Sequence, residues 1–182
     1  MRTAWILIAM TSVARAEPAP VQPPAYAENA HTRAGLIDVG ATVGLLVAHD
    51  VRDVEVVPAV RWFVAESFAI AATASVTSTK AGDRSATLYG AYVEPSYHLE
   101  LAPTTFAVIG MATGAAYERH LGTSLAIAPS LGLAFAVGRV SVISTALSYS
   151  YLTHSAADVR DNAALVALTS ALRVHLGYAV RW

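Results

Sequence analysis

Large apolar side chains fall on every second position over much of the chain. Between Leu125 and Val137 the odd positions hold Leu, Ile, Phe, Val and one Pro, and the even positions hold only Ala, Ser and Gly. This alternation is the period of a strand with one apolar face, whereas an amphipathic helix repeats every three to four residues. The uncharged stretches Leu101 to Tyr117 and Leu121 to Gly138 raise the alternative of membrane-spanning helices. The alternation favours strands over that alternative.

The same alternation predicts eight strands, most of them close to the length of roughly 9 to 11 residues that a tilted membrane-spanning strand needs. The fold class is therefore all-β, an eight-stranded antiparallel up-and-down transmembrane β-barrel. In the fifth strand the large residues change parity between Val108 and Ile109, which predicts a bulge. The predicted strands are Ile37 to Val47, Val54 to Val64, Phe68 to Thr77, Thr87 to Leu99, Thr105 to Tyr117, Leu125 to Val137, Ile143 to Tyr151 and about Leu168 to Trp182.

Three prolines interrupt the predicted strands at similar places. Pro58, Pro95 and Pro129 each follow an apolar or acidic residue in the second, fourth and sixth strands. Because proline cannot donate a hydrogen bond to a neighbouring strand, they predict a repeated bulge that bends the wall.

The beginning of the chain has the pattern of a secretory signal peptide. A short positive start at Arg2 precedes the apolar stretch Ala4 to Val13, and Ala14-Arg15-Ala16 is an A-x-A cleavage site. The stretch that follows is rich in Pro and Ala, which is typical of an extended, unpacked linker. We therefore expect a signal peptide over 1–16, a periplasmic linker over 17–34 and a barrel over 35–182.

The composition excludes several classes of function. The net charge is −1, charged residues make up 14%, and Lys80 is the only lysine, so there is no basic patch for nucleic acid. The absence of Cys excludes disulfides and thiolate ligands, and the six His residues are scattered singly. We expect neither a metal nor a cofactor.

The last strand carries a further pattern. His175, Gly177, Val180 and Trp182 fit, position by position, the terminal signal of outer-membrane barrels: polar, any, Gly, any, any, apolar, any, aromatic. Over about Ala34 to Trp182 the chain resembles small barrels of the OmpA membrane-domain, OmpX and OmpW type. The resemblance implies a monomer in the outer membrane of a Gram-negative bacterium, with outer-membrane lipid, lipopolysaccharide and the barrel-assembly machinery as partners.

The connections predict the orientation. The connections after the second, fourth and sixth strands are short. Longer connections are Ser78 to Ser85, Glu118 to Ser124 and Thr153 to Ala163. Bacterial barrels keep short turns in the periplasm, so we expect both termini there. Aromatic residues should then form two bands at the membrane interfaces. The predicted periplasmic band is Trp62, Phe68, Tyr97, Phe106 and Trp182, and the outer band is Tyr89, Tyr117, Tyr149 and Tyr151.

The inward parity holds three carboxylates and three guanidinium groups. An eight-stranded barrel is just wide enough for side chains, so these charges should pair and close the interior. Counting along the strands predicts an outer tier in which Glu55 meets Arg173, and a periplasmic tier below it. The predicted interior network is Asp38, Glu55, Arg61, Glu94, Arg173 and Arg181.

Three functions follow from this architecture. The first is a non-enzymatic barrel with a structural role or with surface loops on display. The second is a narrow conduit for a small or hydrophobic solute. The third is an enzyme acting on lipid A. The best candidates for its catalytic residues are Ser96 with His98, and His154 with Ser155 and Asp158, but neither spacing predicts a catalytic triad.

Overall fold

The computed structural model describes residues 31–48, 51–153 and 163–182 and contains one closed barrel of eight antiparallel strands. The prediction of an eight-stranded up-and-down barrel is confirmed. Each strand pairs with the next in sequence, and β8 pairs with β1 to close the ring. The strands are β1 (Ile37–Ala48), β2 (Val51–Ala65), β3 (Phe68–Ala81), β4 (Arg84–Ala102), β5 (Thr105–Glu118), β6 (Gly122–Val137), β7 (Ser141–Leu152) and β8 (Ser170–Arg181).

The two ends of the barrel differ. One end, called the turn end below, carries the turns after β2, β4 and β6 together with the C-terminus. The other end carries α1 (Ala163–Thr169) between β7 and β8 and is called the helix end. The predicted eighth strand is too long at its start, because Leu168 and Thr169 belong to α1. Ala and Leu are good helix formers, and Ala164, Leu165 and Leu168 are buried on one face of α1 at helical spacing.

Several strands run further at the helix end than expected. β3 and β4 meet in a tight turn at Gly82 and Asp83, and β5 and β6 meet at Arg119 to Leu121. The predicted loops at Ser78 to Ser85 and Glu118 to Ser124 are therefore mostly strand. Of the connections that the structure describes at this end, only the one that carries α1 is long.

The fifth strand is regular, so the predicted bulge is wrong. β5 pairs with β6 from Thr105 to Glu118 without a shift in register. Ile109 and Met111 face outward, whereas Phe106 faces the interior and is 3% exposed. The change of parity arises because one large side chain fills the core, where Phe106 packs with Ala134 and Val142. The register shifts lie elsewhere, at the turn-end limits of β2 and β4.

The prolines do not form bulges either. Around Pro58 the β2·β3 pairing passes from Val56 opposite Val76 to Ala59 opposite Thr73 with its register unchanged, while Pro58 still pairs with β1. Pro95 and Pro129 behave in the same way in the β4·β5 and β6·β7 ladders. Each proline thus costs local hydrogen bonding to one neighbour only, on an otherwise continuous sheet.

Both ends of the interior are filled. At the helix end, Leu165 and Leu168 of α1 pack with inward residues of β3 to β7, including Leu88 and Leu152. At the turn end, the segment before β1 lies against β2, with Gly35 N–H bonded to Phe63 O at 2.8 Å and Thr32 buried. His31 and Thr32 are thus packed against the barrel, whereas the sequence places them in the linker. The proposed signal peptide and the rest of the linker lie outside the described residues.

No helix in the described ranges is long and apolar enough to cross a membrane.

Candidate functional site in the barrel interior

An arginine and an aspartate form an ion pair inside the barrel, towards its helix end. Arg173 donates from Nε to Asp53 Oδ1 at 2.9 Å and from Nη2 to Asp53 Oδ2 at 2.8 Å. Its Nη1 donates to Ser150 Oγ at 2.6 Å, and Thr79 Oγ1 donates to Asp53 Oδ2 at 2.8 Å. Both charged side chains are buried. These four side chains are called the Asp53 cluster. The two charged groups form a pair of parallel hydrogen bonds with each other, and each also hydrogen-bonds to one neutral hydroxyl group.

The backbone register explains why Arg173 meets Asp53 rather than Glu55. Gly44 of β1 lies opposite Glu55 on one side and His175 on the other. One inward position further, Leu46 lies opposite Asp53. Arg173 is two residues before His175, so it is level with Asp53. The expected contact with Glu55 is only a second neighbour, at 3.9 Å from Arg173 Nε.

Glu55 belongs to a weaker polar group beside this cluster. Its Oε1 accepts a hydrogen bond from Thr77 at 3.2 Å, and its Oε2 lies 3.8 Å from His175 Nε2. That nitrogen is 2.7 Å from Ser148 Oγ. A Ser–His contact alone does not make a nucleophile, because here the carboxylate approaches the same ring nitrogen as the serine and does not orient the ring from Nδ1.

The second ion pair closes the turn end. Arg181 donates from Nε and Nη2 to the two oxygens of Asp38, at 2.6 and 2.7 Å. Its Nη1 also donates to the backbone oxygen of His31, and its guanidinium carbon lies 5.2 Å from the centre of the Phe63 ring. This set is called the Asp38 cluster. It ties β8, β1, β2 and the segment before β1 together.

His31 is the titratable group of this cluster that lies outside the strands. Burial lowers its pKa, and the nearby positive charge of Arg181 lowers it further, while Asp38 acts in the opposite sense. Its ring centre lies 6.4 Å from that of Phe106. His31 is therefore held in its neutral form more strongly than a free histidine is.

Besides Glu55, two members of the predicted network, Arg61 and Glu94, stay outside both clusters. Asp38 lies opposite both Arg61 and Arg181, yet it bonds only to Arg181, and the Nε of Arg61 is buried without a hydrogen-bond partner. Glu94 accepts a hydrogen bond from Ser130 at 3.1 Å. A side chain at Gly110 would place its Cβ 2.6 Å from Glu94 Oε1, so the glycine makes room for the carboxylate.

A cavity of about 150 Å³ lies between the two clusters. Glu55, Arg61, Glu94 and His175 line it on one side, and small side chains of β5 to β7, such as Ala112 and Ala128, line it on the other. A space of this size with charged walls is large enough for a few water molecules. Within the described ranges, no group of three or more His, Asp or Glu residues could hold a metal ion.

The candidate catalytic residues are only partly brought together. Ser96 Oγ and His98 Nε2 are 3.3 Å apart and buried, and the His98 ring packs on Phe63 at 4.9 Å. The contact is long and closed off from the surface, as expected of core packing. His154, Ser155 and Asp158 lie outside the described residues.

Most of the predicted aromatic bands face outward. Tyr89 and Tyr117 are direct partners across β4 and β5, near the helix end. The exposed residues among the predicted set are Trp62, Tyr97 and Trp182 towards the turn end, and Tyr89, Tyr117, Tyr149 and Tyr151 towards the helix end. Phe68 is half-buried on the outward parity of β3. Phe106 does not belong to a band, because it points into the core.

The residues of the predicted terminal signal have distinct places in the barrel. His175 and Gly177 face inward, and a Cβ at Gly177 would lie 2.5 Å from both Ser144 Oγ and Thr42 Cγ2. Trp182 is 70% exposed, and its backbone exchanges two hydrogen bonds with Ile37, at 2.9 and 3.1 Å. Tight packing thus requires the glycine, and the terminal residue helps to close the ring.

Asp53 is an interior residue that the predicted network does not contain. It lies before the predicted start of the second strand at Val54, although it shares the inward parity of Glu55 and Arg61 in β2. That shared parity is the signal that could have identified it.

Solved structures with the same architecture are outer-membrane barrels and a designed barrel. Neisserial surface protein A has a TM-score of 0.54 and 13% identity, covering 80% of this chain and 94% of that one. Ail of Yersinia pestis in a phospholipid nanodisc has a TM-score of 0.52 and 16% identity, covering 81% and 99%. OprG of Pseudomonas aeruginosa has a TM-score of 0.51 and 9% identity, covering 85% and 98%. A de novo designed transmembrane β-barrel has a TM-score of 0.52 and 12% identity, covering 82% and 98%.

No protein-family model matches the chain, and neither does any curated protein sequence. At these low identities the structural likeness concerns the fold alone: the chain has the closed eight-stranded architecture of small outer-membrane barrels.

Proposed function

We propose that the chain is an integral, non-enzymatic protein of the outer membrane of a Gram-negative bacterium, with a structural role or a role in displaying its outer hairpins. The observation that carries this proposal is the apolar outer surface of the closed barrel. Large apolar residues such as Leu131, Leu147 and Leu176 are about half exposed or more on the outward side, whereas the charged residues within this apolar band, such as Glu55 and Arg61, face inward. Water-soluble proteins rarely expose continuous apolar surfaces of this extent, whereas lipid accommodates them.

The same surface supports a single barrel as the working unit. A closed barrel leaves no strand edge for pairing with a second copy. Lipid, lipopolysaccharide and the barrel-assembly machinery, which would read the signal ending at Trp182, are the partners that this proposal implies.

The proposed orientation puts the turn end in the periplasm. The longest described connection, which carries α1, is at the helix end, and bacterial barrels keep their longer connections outside. The N-terminal linker and Trp182 then lie in the periplasm, on the side from which an exported chain is inserted.

A conduit is less favoured than a closed barrel. Leu165 and Leu168 of α1 block the interior at the helix end, and Phe63, Phe106 and Arg181 fill it at the turn end. A solute would have to displace one of these packed groups at each end. We therefore expect no single-channel current in a planar bilayer at neutral pH.

Fractionation and labelling test the proposal. The folded protein should be found in outer-membrane fractions and should change its gel position on boiling. Because the chain has no Cys, single cysteines report one site each. Asp83→Cys should react with a membrane-impermeant maleimide on intact cells, whereas Arg139→Cys should react only after the outer membrane is opened. A boiled band at the unboiled position, or the reverse labelling pattern, would contradict the proposal.

A further inference from the structure

Two cations lie directly opposite each other on the outer surface of the barrel, close to its helix end. Arg52 of β2 and Lys80 of β3 are partners across the sheet, and both are exposed on the outward parity. Like charges directly opposite each other in an antiparallel pair are destabilising. Among the described residues neither has an ion-pair partner. An arrangement of this kind is favourable when an anion neutralises both charges.

The position of the pair along the barrel indicates which anion. Moving towards the helix end, the outward rows across β2 and β3 are Val56 with Val76, then Val54 with Ser78, and then the two cations. One row is two residues, or roughly 7 Å along a strand. With the usual strand tilt this is roughly 5 Å along the membrane normal. The cations therefore lie just beyond the last apolar row, at the depth of lipid phosphate groups.

The neighbouring strand adds hydrogen-bond donors at the same depth. In β4, Tyr89 lies opposite Val76, Thr87 opposite Ser78, and Ser85 opposite Lys80. On β3 and β4 the apolar band thus ends at the row of Val76 and Tyr89, whereas on β2 it extends one row further, to Val54. The next outward positions of β3 and β4 carry hydroxyl groups around the two cations. Guanidinium, ammonium and hydroxyl donors together match the oxygens of a phosphate monoester or diester.

We propose that Arg52 and Lys80, with Ser78, Ser85 and Thr87, form a binding site for a phosphate group of the lipid that surrounds the barrel at its helix end. This site rests on the proposed function, because it requires the outward surface to face lipid. In the proposed orientation the helix end faces the outer leaflet, so the phosphate belongs to lipid A. The site would hold one lipid molecule against the β2–β4 wall and offset the repulsion between the two cations.

The chain offers a selective probe, since Lys80 is its only lysine. Reductive methylation with ¹³C-formaldehyde keeps the positive charge and labels only Lys80 and the N-terminal amine. The labelled protein is placed in phosphatidylcholine nanodiscs, and bisphosphorylated lipid A is added in steps. The Lys80 signal should shift and saturate. The same concentrations of inorganic phosphate should leave it unchanged, because the site binds the phosphate of a lipid held at the surface.

Variants test the site in parallel by native mass spectrometry of retained lipid A. The double variant Arg52→Gln/Lys80→Gln should bind roughly 30-fold more weakly, from about fivefold for each cation near a membrane surface. The matched control Arg33→Gln/Arg139→Gln removes two cations at the turn end and should bind as the unmodified protein does. Lys80→Glu should lose lipid A but keep or gain stability, because it replaces the repulsion with a cross-strand ion pair.

Equal retention of lipid A by the unmodified protein and the Arg52→Gln/Lys80→Gln variant would overturn the site, as would a saturating shift with inorganic phosphate alone. A loss of binding in the control variant as large as in the site variant would also overturn it. Failure of the proposed function is seen separately, as a chain that does not give a heat-modifiable folded band or does not enter the nanodisc.

Discussion

Arg173 and Asp53, 120 residues apart in sequence, form a two-point ion pair in the interior with hydrogen bonds of 2.9 and 2.8 Å. Strand β1 lies between the strands that carry them, so the pair links three neighbouring strands around the point at which the barrel closes. Removing one charge leaves the other buried without an equivalent partner, which is costlier than the pair itself is stabilising.

We therefore expect Arg173→Met to lower the free energy of unfolding by about 3–5 kcal/mol, because it leaves the buried Asp53 carboxylate without a positively charged partner. Glu55→Gln should cost only about 1 kcal/mol, because Glu55 is 3.9 Å from Arg173 Nε and the amide can still accept from Thr77. Urea titration of the protein in lipid vesicles, followed by tryptophan fluorescence, measures both. Equal losses would show that the network has no dominant pair.

The sequence predicts the faces of the strands better than their ends. Inside the apolar band, outward residues face lipid and inward residues face the core, so large apolar residues alternate with small or polar ones. This alternation is visible in the sequence. Beyond the band both faces are polar, as in the run Ser78, Thr79 and Lys80, so the alternation disappears while the backbone pairing continues to Ala81. This is why β2, β3 and β4 are longer than predicted, and why Asp53 falls in a predicted connection.

The interior partners needed information that parity does not contain. Parity shows that Asp38, Glu55 and Arg173 face inward, but the level of each side chain depends on the stagger between β1 and its two neighbours. A shift of one inward position exchanges Glu55 for Asp53 as the partner of Arg173. Likewise, Arg61 and Arg181 both lie opposite Asp38, and the sequence does not show which of them forms the ion pair. In the packed interior it is Arg181.

Phe106 provides a direct test of the interior against the lipid surface. In a mature chain with Trp62→Phe and Trp182→Phe, a tryptophan in place of Phe106 should not be quenched by brominated lipids, because the side chain lies in the core at 3% exposure. A tryptophan in place of Phe135, which faces outward on the paired strand β6, should be quenched strongly. Strong quenching at position 106 would show that this side chain faces lipid and belongs to the aromatic band.

Gly110 should be intolerant of a side chain for a specific reason. A Cβ there would lie 2.6 Å from Glu94 Oε1 and 2.8 Å from Ser130 Oγ, which are already hydrogen-bonded to each other. We expect Gly110→Ala to cost about 1–3 kcal/mol in the free energy of unfolding through overpacking. Truncating the carboxylate removes the closer of the two contacts and frees Ser130 Oγ from its hydrogen bond, so the same change should cost less in a Glu94→Ala background. Identical costs in the two backgrounds would mean that Ser130 or the backbone of β5, and not Glu94, rejects the methyl group.

His31 should make the turn end sensitive to acid. Burial and the charge of Arg181 lower its pKa in the folded barrel below the ordinary value of 6.5, so the unfolded chain binds a proton first as the pH falls. The stabilising contribution of neutral His31 is therefore complete above pH 6.5 and is lost progressively below it, until the pKa of the folded state is passed. Titration of the His31 ring by NMR measures the pKa directly. Asp38→Asn removes the one nearby charge that raises this pKa, so the titration should move to still lower pH. A midpoint at or above 6.5 in the folded protein would show that the ring has left the contact with Arg181 and Phe106 and is in solvent.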